Sequence, residues 1–196
     1  MEEFVGKVVL ITGASSGIGA ETALEFASSG ASLALVGRDE ERLEKSAQDC
    51  LAKGLSKEKV LTIKADMCIE DDVKRIMDST ITHFGKLDVL SSMSLSYNIT
   101  RAANDQFTRC CALDLASKGV RVNAVNPGAI ETPLLTGFGV PVDQIEEVMG
   151  KLHPMGRVGQ SSEVAKAIKF LASDAASFIT GETLSIDGGR HVACAR

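Results

Sequence analysis

Lys7-Val-Val-Leu-Ile-Thr12-Gly13-Ala-Ser-Ser-Gly17-Ile-Gly19 is the stretch on which the fold turns. Lys7 to Thr12 is short, apolar and rich in β-branched residues, so it predicts a strand buried on both faces. Gly13 ends it. From Gly17 to Ser29 the spacing becomes helical, with Ile18, Ala23, Leu24 and Ala27 on the apolar side and Gly30 as the stop. Glycines at 13, 17 and 19 have separate uses. One permits the tight turn, one lets a pyrophosphate approach the backbone, and one allows close helix–strand packing. The helix that follows offers free N–H groups and a positive dipole end to phosphates. Gly13, Ser15, Ser16, Gly17, Ile18 and Gly19 are therefore candidate dinucleotide-binding residues.

The same alternation continues outward. Ser32–Val36 and Lys59–Ala65 read as strands, Asp39–Lys53 and Ile69–Phe84 as helices, and Leu87–Leu90 as a fourth strand. A long helix over about 96–117 precedes a strand at Val120–Val125 and a loop at Pro127-Gly128. A helix opened by Ser161 or Ser162 and a strand at Thr183–Ile186 complete the pattern. The rhythm predicts a three-layer, doubly wound parallel sheet with right-handed crossovers, in a single domain over 1–196.

The end of the second strand bears on the cofactor. An NAD site needs an acid about 20 residues past the glycines to bind the ribose 2′-OH. Arg38 follows Gly37 here, and a guanidinium suits a 2′-phosphate. Asp39 is adjacent and could serve NAD, but it is also a natural N-cap for the next helix. The balance favours NADP(H) over NAD(H).

Composition narrows the field. The chain has 196 residues and a formal net charge of −5, a poor match to phosphate backbones, so nucleic acid is not expected as a partner. With seven Phe, one Tyr and no Trp, a base-stacking platform would lack material. No apolar run approaches the roughly 20 residues that span a bilayer, and the acidic N-terminus does not read as a signal peptide. The five cysteines show no CxxC and no paired metal spacing with His83, His153 or His191. They are read as reduced thiols of a cytoplasmic protein, with no metal site.

With these motifs in order, the chain resembles a short-chain dehydrogenase/reductase of the classical type. Thr12–Gly19 matches that family's TGxxxGxG turn, and Ala65-Asp66-Met67 sits where it places an acid beside the adenine. Val120–Gly128 resembles its strand and Pro-Gly loop on the nicotinamide side. Phe170–Asp174, Phe178–Gly181 and Ile186–Gly189 resemble its C-terminal signature. The likeness covers 1–90 and about 97–190. It implies that Asp66, Met67, Pro127, Gly128, Ile130 and Thr132 contact cofactor, with Ile130 at the carboxamide and Thr132 at a phosphate. It also implies a carbonyl or alcohol substrate, covered by Leu134–Pro154, and a homo-oligomer.

Tyr97-Asn-Ile-Thr-Arg101 takes the place of the family's Tyr-x-x-x-Lys. The i, i+4 spacing puts both side chains on one helix face. A phenol has a pKa near 10 and exchanges its proton reluctantly at neutral pH; a fixed cation alongside favours the phenolate. Tyr97 is the chain's single tyrosine.

Three departures from the family stand out. Arg101 replaces lysine, keeping the charge but not a readily exchanged proton. The Asn-Asn-Ala-Gly segment expected after the fourth strand is absent. A crossover unit takes roughly 30 residues and the family has about two such units here, so on the order of 60 residues are missing near 90–97. The catalytic serine would lie among them; Ser92, five residues before Tyr97, is the stand-in, although the serines from Ser91 to Ser96 also suit a polar loop and helix cap. Either a shortened enzyme or an inactive nucleotide- or partner-binding relative fits these departures.

Overall fold

The first strand, β1 (Val8–Thr12), is buried at all of its positions in a computed structural model of the chain, which describes residues 3–92, 100–136 and 142–193. The chain divides into two compact units, Met1–Met93 and Ser94–Arg196.

In the first unit, α1 (Gly17–Ala27), β2 (Ser32–Gly37), α2 (Glu40–Leu51), β3 (Val60–Lys64), α3 (Glu70–Phe84) and β4 (Val89–Ser91) follow β1. The four strands form one parallel sheet in the order β3-β2-β1-β4. Leu10, Ala34, Val36, Ile63 and Ala65 form one core face, closed by Ile76 of α3. Strand alternation turns Val9, Ile11, Leu33 and Leu35 to the other face, and α1 and α2 pack on that side. Phe26 of α1 is wholly buried and meets Phe4 edge to face at 4.9 Å between ring centres. Helices on both faces of a parallel sheet are the doubly wound arrangement expected from the sequence.

Local chemistry sets the helix ends. Asp39 caps α2 by accepting from the Arg42 N–H at 3.1 Å, as its position predicts. Gly85 ends α3 in the left-handed region, with its N–H on the Ile81 carbonyl. At the sheet's other end the Asp88 carboxylate accepts the Val8 N–H at 2.8 Å.

The second unit contains α4 (Thr100–Ala116), β5 (Ala124–Pro127), β6 (Ile130–Glu131), α5 (Pro133–Thr136), α6 (Val142–Met149), β7 (Gly159–Gln160), α7 (Ser161–Ala172) and β8 (Thr183–Ile186). β5 pairs with β8 and β6 with β7, both in parallel. The strand expected at Val120–Val125 starts at Ala124 instead. Arg121 turns its guanidinium to the carbonyls of Leu171, Ser173 and Ile179, and Asn123 binds the Ile179 carbonyl and the Glu182 N–H. These side chains tie 120–123 to the loop after α7 rather than to a strand ladder. Helix α7 opens at Ser161, as expected; its cap is Gln160, whose N–H donates to the Glu163 carboxylate at 2.8 Å, while the Ser161 hydroxyl donates to the Glu131 carbonyl.

Candidate functional site

The four parallel strands of the first unit end in line, so the residues that follow them share one edge of the sheet. Gly13–Gly19 follows β1, Arg38 follows β2, Asp66 and Met67 follow β3, and Ser92 follows β4. Ligands of open α/β sheets collect at this edge.

The glycine-rich turn is tight because of what surrounds it. Gly13 and Gly17 have φ of 69° and 56°, where a side chain is strained. Gly19 is held by contact instead: a Cβ there would collide with the Gly13 carbonyl group. The Ala14 N–H is bound to the Val36 carbonyl at 3.0 Å, which anchors the turn to β2. Ser16 is the N-cap of α1 in an extended conformation and makes no side-chain cap bond, and the first turn carries no acid. Ile18 is buried, so it offers a ligand its N–H rather than its side chain. The Ser15 hydroxyl stands 3.5 Å from the Asp39 carbonyl, and a Cβ on Gly37 would run into it. Uncapped N–H groups with no nearby carboxylate in the turn suit an anion.

At the β2 and β3 ends, Arg38 Nη1 lies 4.0 Å from Asp66 Oδ2, with side chains 73% and 36% exposed. That separation and exposure make a loose pair. Asp66 is held more firmly through its backbone. Its N–H donates to Asp72 Oδ2 at 2.7 Å, and its own Oδ1 accepts the Cys68 N–H at 3.0 Å. Arg75 bridges Asp72 and the Lys64 carbonyl. The Asp66 N–H and the Arg75 guanidinium hold the Asp72 carboxyl below its ordinary range. Met67 is exposed beside them. Ser92 places its Oγ 3.4 Å from Thr12 Oγ1, next to the glycine-rich turn.

In the second unit, β5 delivers Pro127 and Gly128 to the end of its ladder with β8, where the Gly128 N–H donates to the Ile186 carbonyl at 3.0 Å. Ile130 is buried, and Thr132 Oγ1 donates to the Ile130 carbonyl at 3.3 Å. A cavity of about 270 Å³ lies beside this loop, lined by Ile130, His153, Arg157, Glu163, Asp187 and His191 among others. Partial burial pushes the Asp187 carboxyl up. The His191 ring and the N–H groups of His191 and Gly189 outweigh that effect and hold it below its ordinary value. Arg157 grips Glu163 with two bonds of 2.9 and 2.7 Å and lowers the Glu163 carboxyl to about 2.

Tyr97 lies outside the described residues. Arg101 falls on the first turn of α4, and its side chain is likewise outside them. One turn further along α4, Asp105 accepts from Asn126 of β5 at 3.4 Å. Sequence reasoning missed His153 and Arg121. His153 is buried and binds the Ala129 N–H; its signal was a lone histidine inside an otherwise apolar segment. Among the described residues, no group of three or more His, Cys, Asp and Glu is placed to hold a metal, and no helix is long and apolar enough to cross a membrane.

Comparison with known proteins agrees with this geometry. Residues 7–92 match the family described as short chain dehydrogenase, and residues 91–191 match the related family described as enoyl-(acyl carrier protein) reductase. The chain is 34% identical to a glucose 1-dehydrogenase of Gluconobacter oxydans, covering 96% of this chain and 93% of that one. That alignment runs over 250 positions, more than the 196 residues of this chain can fill. It is 31% identical to a cyclohexanol dehydrogenase of Acinetobacter, covering 95% of both chains. Among solved structures it resembles a short-chain dehydrogenase/reductase of unknown function from Caenorhabditis elegans, crystallised with cofactor, at 29% identity and a TM-score of 0.89 over 98% of each chain. A glucose dehydrogenase of the same organism gives 31% identity and a TM-score of 0.85, covering 97% of this chain and 99% of that one. With its parallel sheet, its glycine-rich turn and these relatives, the chain belongs to the short-chain dehydrogenase/reductase family of oxidoreductases.

Proposed function

We propose that the chain is an NADP(H)-dependent oxidoreductase acting on a carbonyl or secondary alcohol. The observation that carries this reading is the alignment of the glycine-rich turn, Arg38 and Asp66 along one edge of a parallel sheet. The N–H groups of 13–19 would hold the pyrophosphate, Asp66 and Met67 would flank the adenine, and Arg38 would meet a 2′-phosphate. Pro127, Gly128, Ile130 and Thr132 would hold the nicotinamide end. The cofactor, when bound, supplies or accepts a hydride.

The chain's own work is proton management. Tyr97 gives a proton to a carbonyl oxygen or takes one from an alcohol, and the charge of Arg101 favours the phenolate. Ser92, at the end of β4, is the serine available to bind the reacting oxygen. Free cysteines at 50, 68, 110 and 111 favour a cytoplasmic setting, and homo-oligomerisation follows from the family likeness.

We also read the chain as lacking the Asn-Asn-Ala-Gly segment and the crossover after it. Alignments longer than the chain support this, as does the junction of the two matched families at 91–92. The same observation favours a second reading, in which the chain binds nucleotide or a protein partner without turnover. The deciding experiment measures NADPH oxidation against a panel of ketones, beside Tyr97→Phe. Turnover lost in that variant supports the enzyme reading. Saturable NADPH binding with no turnover on any ketone supports the second. Turnover unchanged by Tyr97→Phe removes the role given to the phenol.

A further inference from the structure

The Pro127–Ile130 loop is held mostly by main-chain bonds. Pro127 pairs with Ile186, the Gly128 N–H binds the Ile186 carbonyl, and the Ala129 carbonyl accepts the Gly159 N–H at 2.9 Å. The Ala129 N–H is different, because it donates to a side chain, His153 Nε2, at 3.1 Å. The other ring nitrogen, Nδ1, lies 2.9 Å from the Met149 carbonyl. His153 is only 4% exposed.

These two partners fix the proton. A backbone N–H can only donate, so Nε2 must present its lone pair. A carbonyl can only accept, so Nδ1 must carry the hydrogen. We propose that His153, as a neutral imidazole protonated on Nδ1, is a positioning residue that holds the Ala129 N–H and so sets the Pro-Gly loop for the nicotinamide end of the cofactor. This rests on the cofactor reading given above.

The space around the ring agrees. A Cβ on Gly128 would stand 2.6 Å from Nε2, and one on Gly188 would stand 3.3 Å from the His153 Cβ. Gly188 also has a φ of 56°. A glycine on each side thus admits the imidazole, one of them in the loop it holds. The ends of the bridge are fixed too: Ala129 and Met149 pack against the buried Leu135, Ile145 and Val158. The acidic and basic side chains lining the same cavity bind one another, Asp187 with His191 and Arg157 with Glu163. A second proton on the ring would turn Nε2 into a donor facing another donor and break the Ala129 bond.

Two measurements test this. The first is an imidazole ¹⁵N–¹H correlation spectrum of the intact chain at neutral pH, in which His153 should be protonated on Nδ1 and bare on Nε2. The second compares affinity for NADPH with affinity for 2′-phospho-ADP-ribose, which lacks nicotinamide, in wild type, His153→Gln and His153→Ala. In His153→Ala, NADPH affinity should fall about tenfold, as for one lost hydrogen bond in a buried setting, while the fragment keeps its affinity. His153→Gln, whose amide oxygen can accept the Ala129 N–H, should recover part of the loss. If His153→Ala does not fold, His153→Gln and the spectrum decide. An Nε2–H tautomer overturns the proposal, as does an unchanged NADPH affinity or an equal loss for both ligands in a folded variant. If wild type binds neither ligand, the cofactor reading fails, and the spectrum still reports on the bridge.

Discussion

Gly19→Ala probes the link between fold and cofactor, because its cost can be worked from the turn itself. The added Cβ would stand 2.7 Å from the Gly13 carbonyl carbon and closer still to its oxygen. Carbon atoms rest at about 3.5–4.0 Å, so the two backbones must part by about 1 Å. Neither can yield cheaply. Gly13 follows a strand with every position buried, and Gly19 is buried within α1. Overpacking of this kind costs about 1–3 kcal/mol, and rigid backbone on both sides places it at about 2–3 kcal/mol. At a urea slope of about 1–3 kcal/mol per molar, the unfolding midpoint should fall by about 1 M. The same displacement moves N–H groups away from a pyrophosphate, so NADPH affinity should fall at least about tenfold. Urea unfolding followed by circular dichroism and an NADPH fluorescence titration read the two effects. If the midpoint stays within about 0.2 M of wild type, the turn is not as closely packed as described. If the variant is destabilised yet binds NADPH with wild-type affinity, the turn does not hold the pyrophosphate.

Three further outcomes are expected. Arg38→Ala should weaken NADPH about tenfold and leave NADH within about twofold, because the guanidinium is exposed and only one charge-assisted contact is lost; parallel titrations check this, and equal effects on both coenzymes would remove Arg38 from 2′-phosphate recognition. Glu163 has a carboxyl lowered from 4.5 to about 2, chiefly by Arg157, so its bridge stabilises the fold above about pH 4.5 and loses that effect as the pH falls towards 2. Glu163→Gln should therefore lower the urea midpoint at pH 7, with the difference from wild type closing in acid; a constant difference across that range would contradict the bridge. Phe26→Ala should cost about 3–5 kcal/mol in urea unfolding, because the ring is wholly buried against Phe4, whereas Phe178→Ala, on an exposed ring, should change stability by less than about 0.5 kcal/mol.

The first unit was largely legible in its sequence because its signals are local. A β-branched run, three glycines and a helical period lie within one short stretch, and Asp39 caps the helix directly after it. The second unit was less legible because side chains there act over long separations. Val-Arg-Val-Asn reads as a strand, but Arg121 and Asn123 bind carbonyls some 50 to 58 positions away, and no period encodes that. The start of α7 at Ser161 was legible, but its Gln160 cap and the reach of the Ser161 hydroxyl to the Glu131 carbonyl, 30 positions away, were not. His153 went unnoticed for a similar reason: its bond to Ala129 spans 24 positions, and an isolated histidine carries no spacing signal. For the proposed proton-transfer pair the order is reversed. Tyr97 and Arg101 stand out by their i, i+4 spacing together with the family resemblance, and Tyr97 and the Arg101 side chain are outside the described residues.

The most direct test of the account is a calorimetric titration of the purified chain with NADPH and, separately, with NADH. One saturable site per chain, tighter for NADPH, is the predicted result. Heats no larger than dilution for both coenzymes, from a chain that unfolds cooperatively in urea, would contradict it.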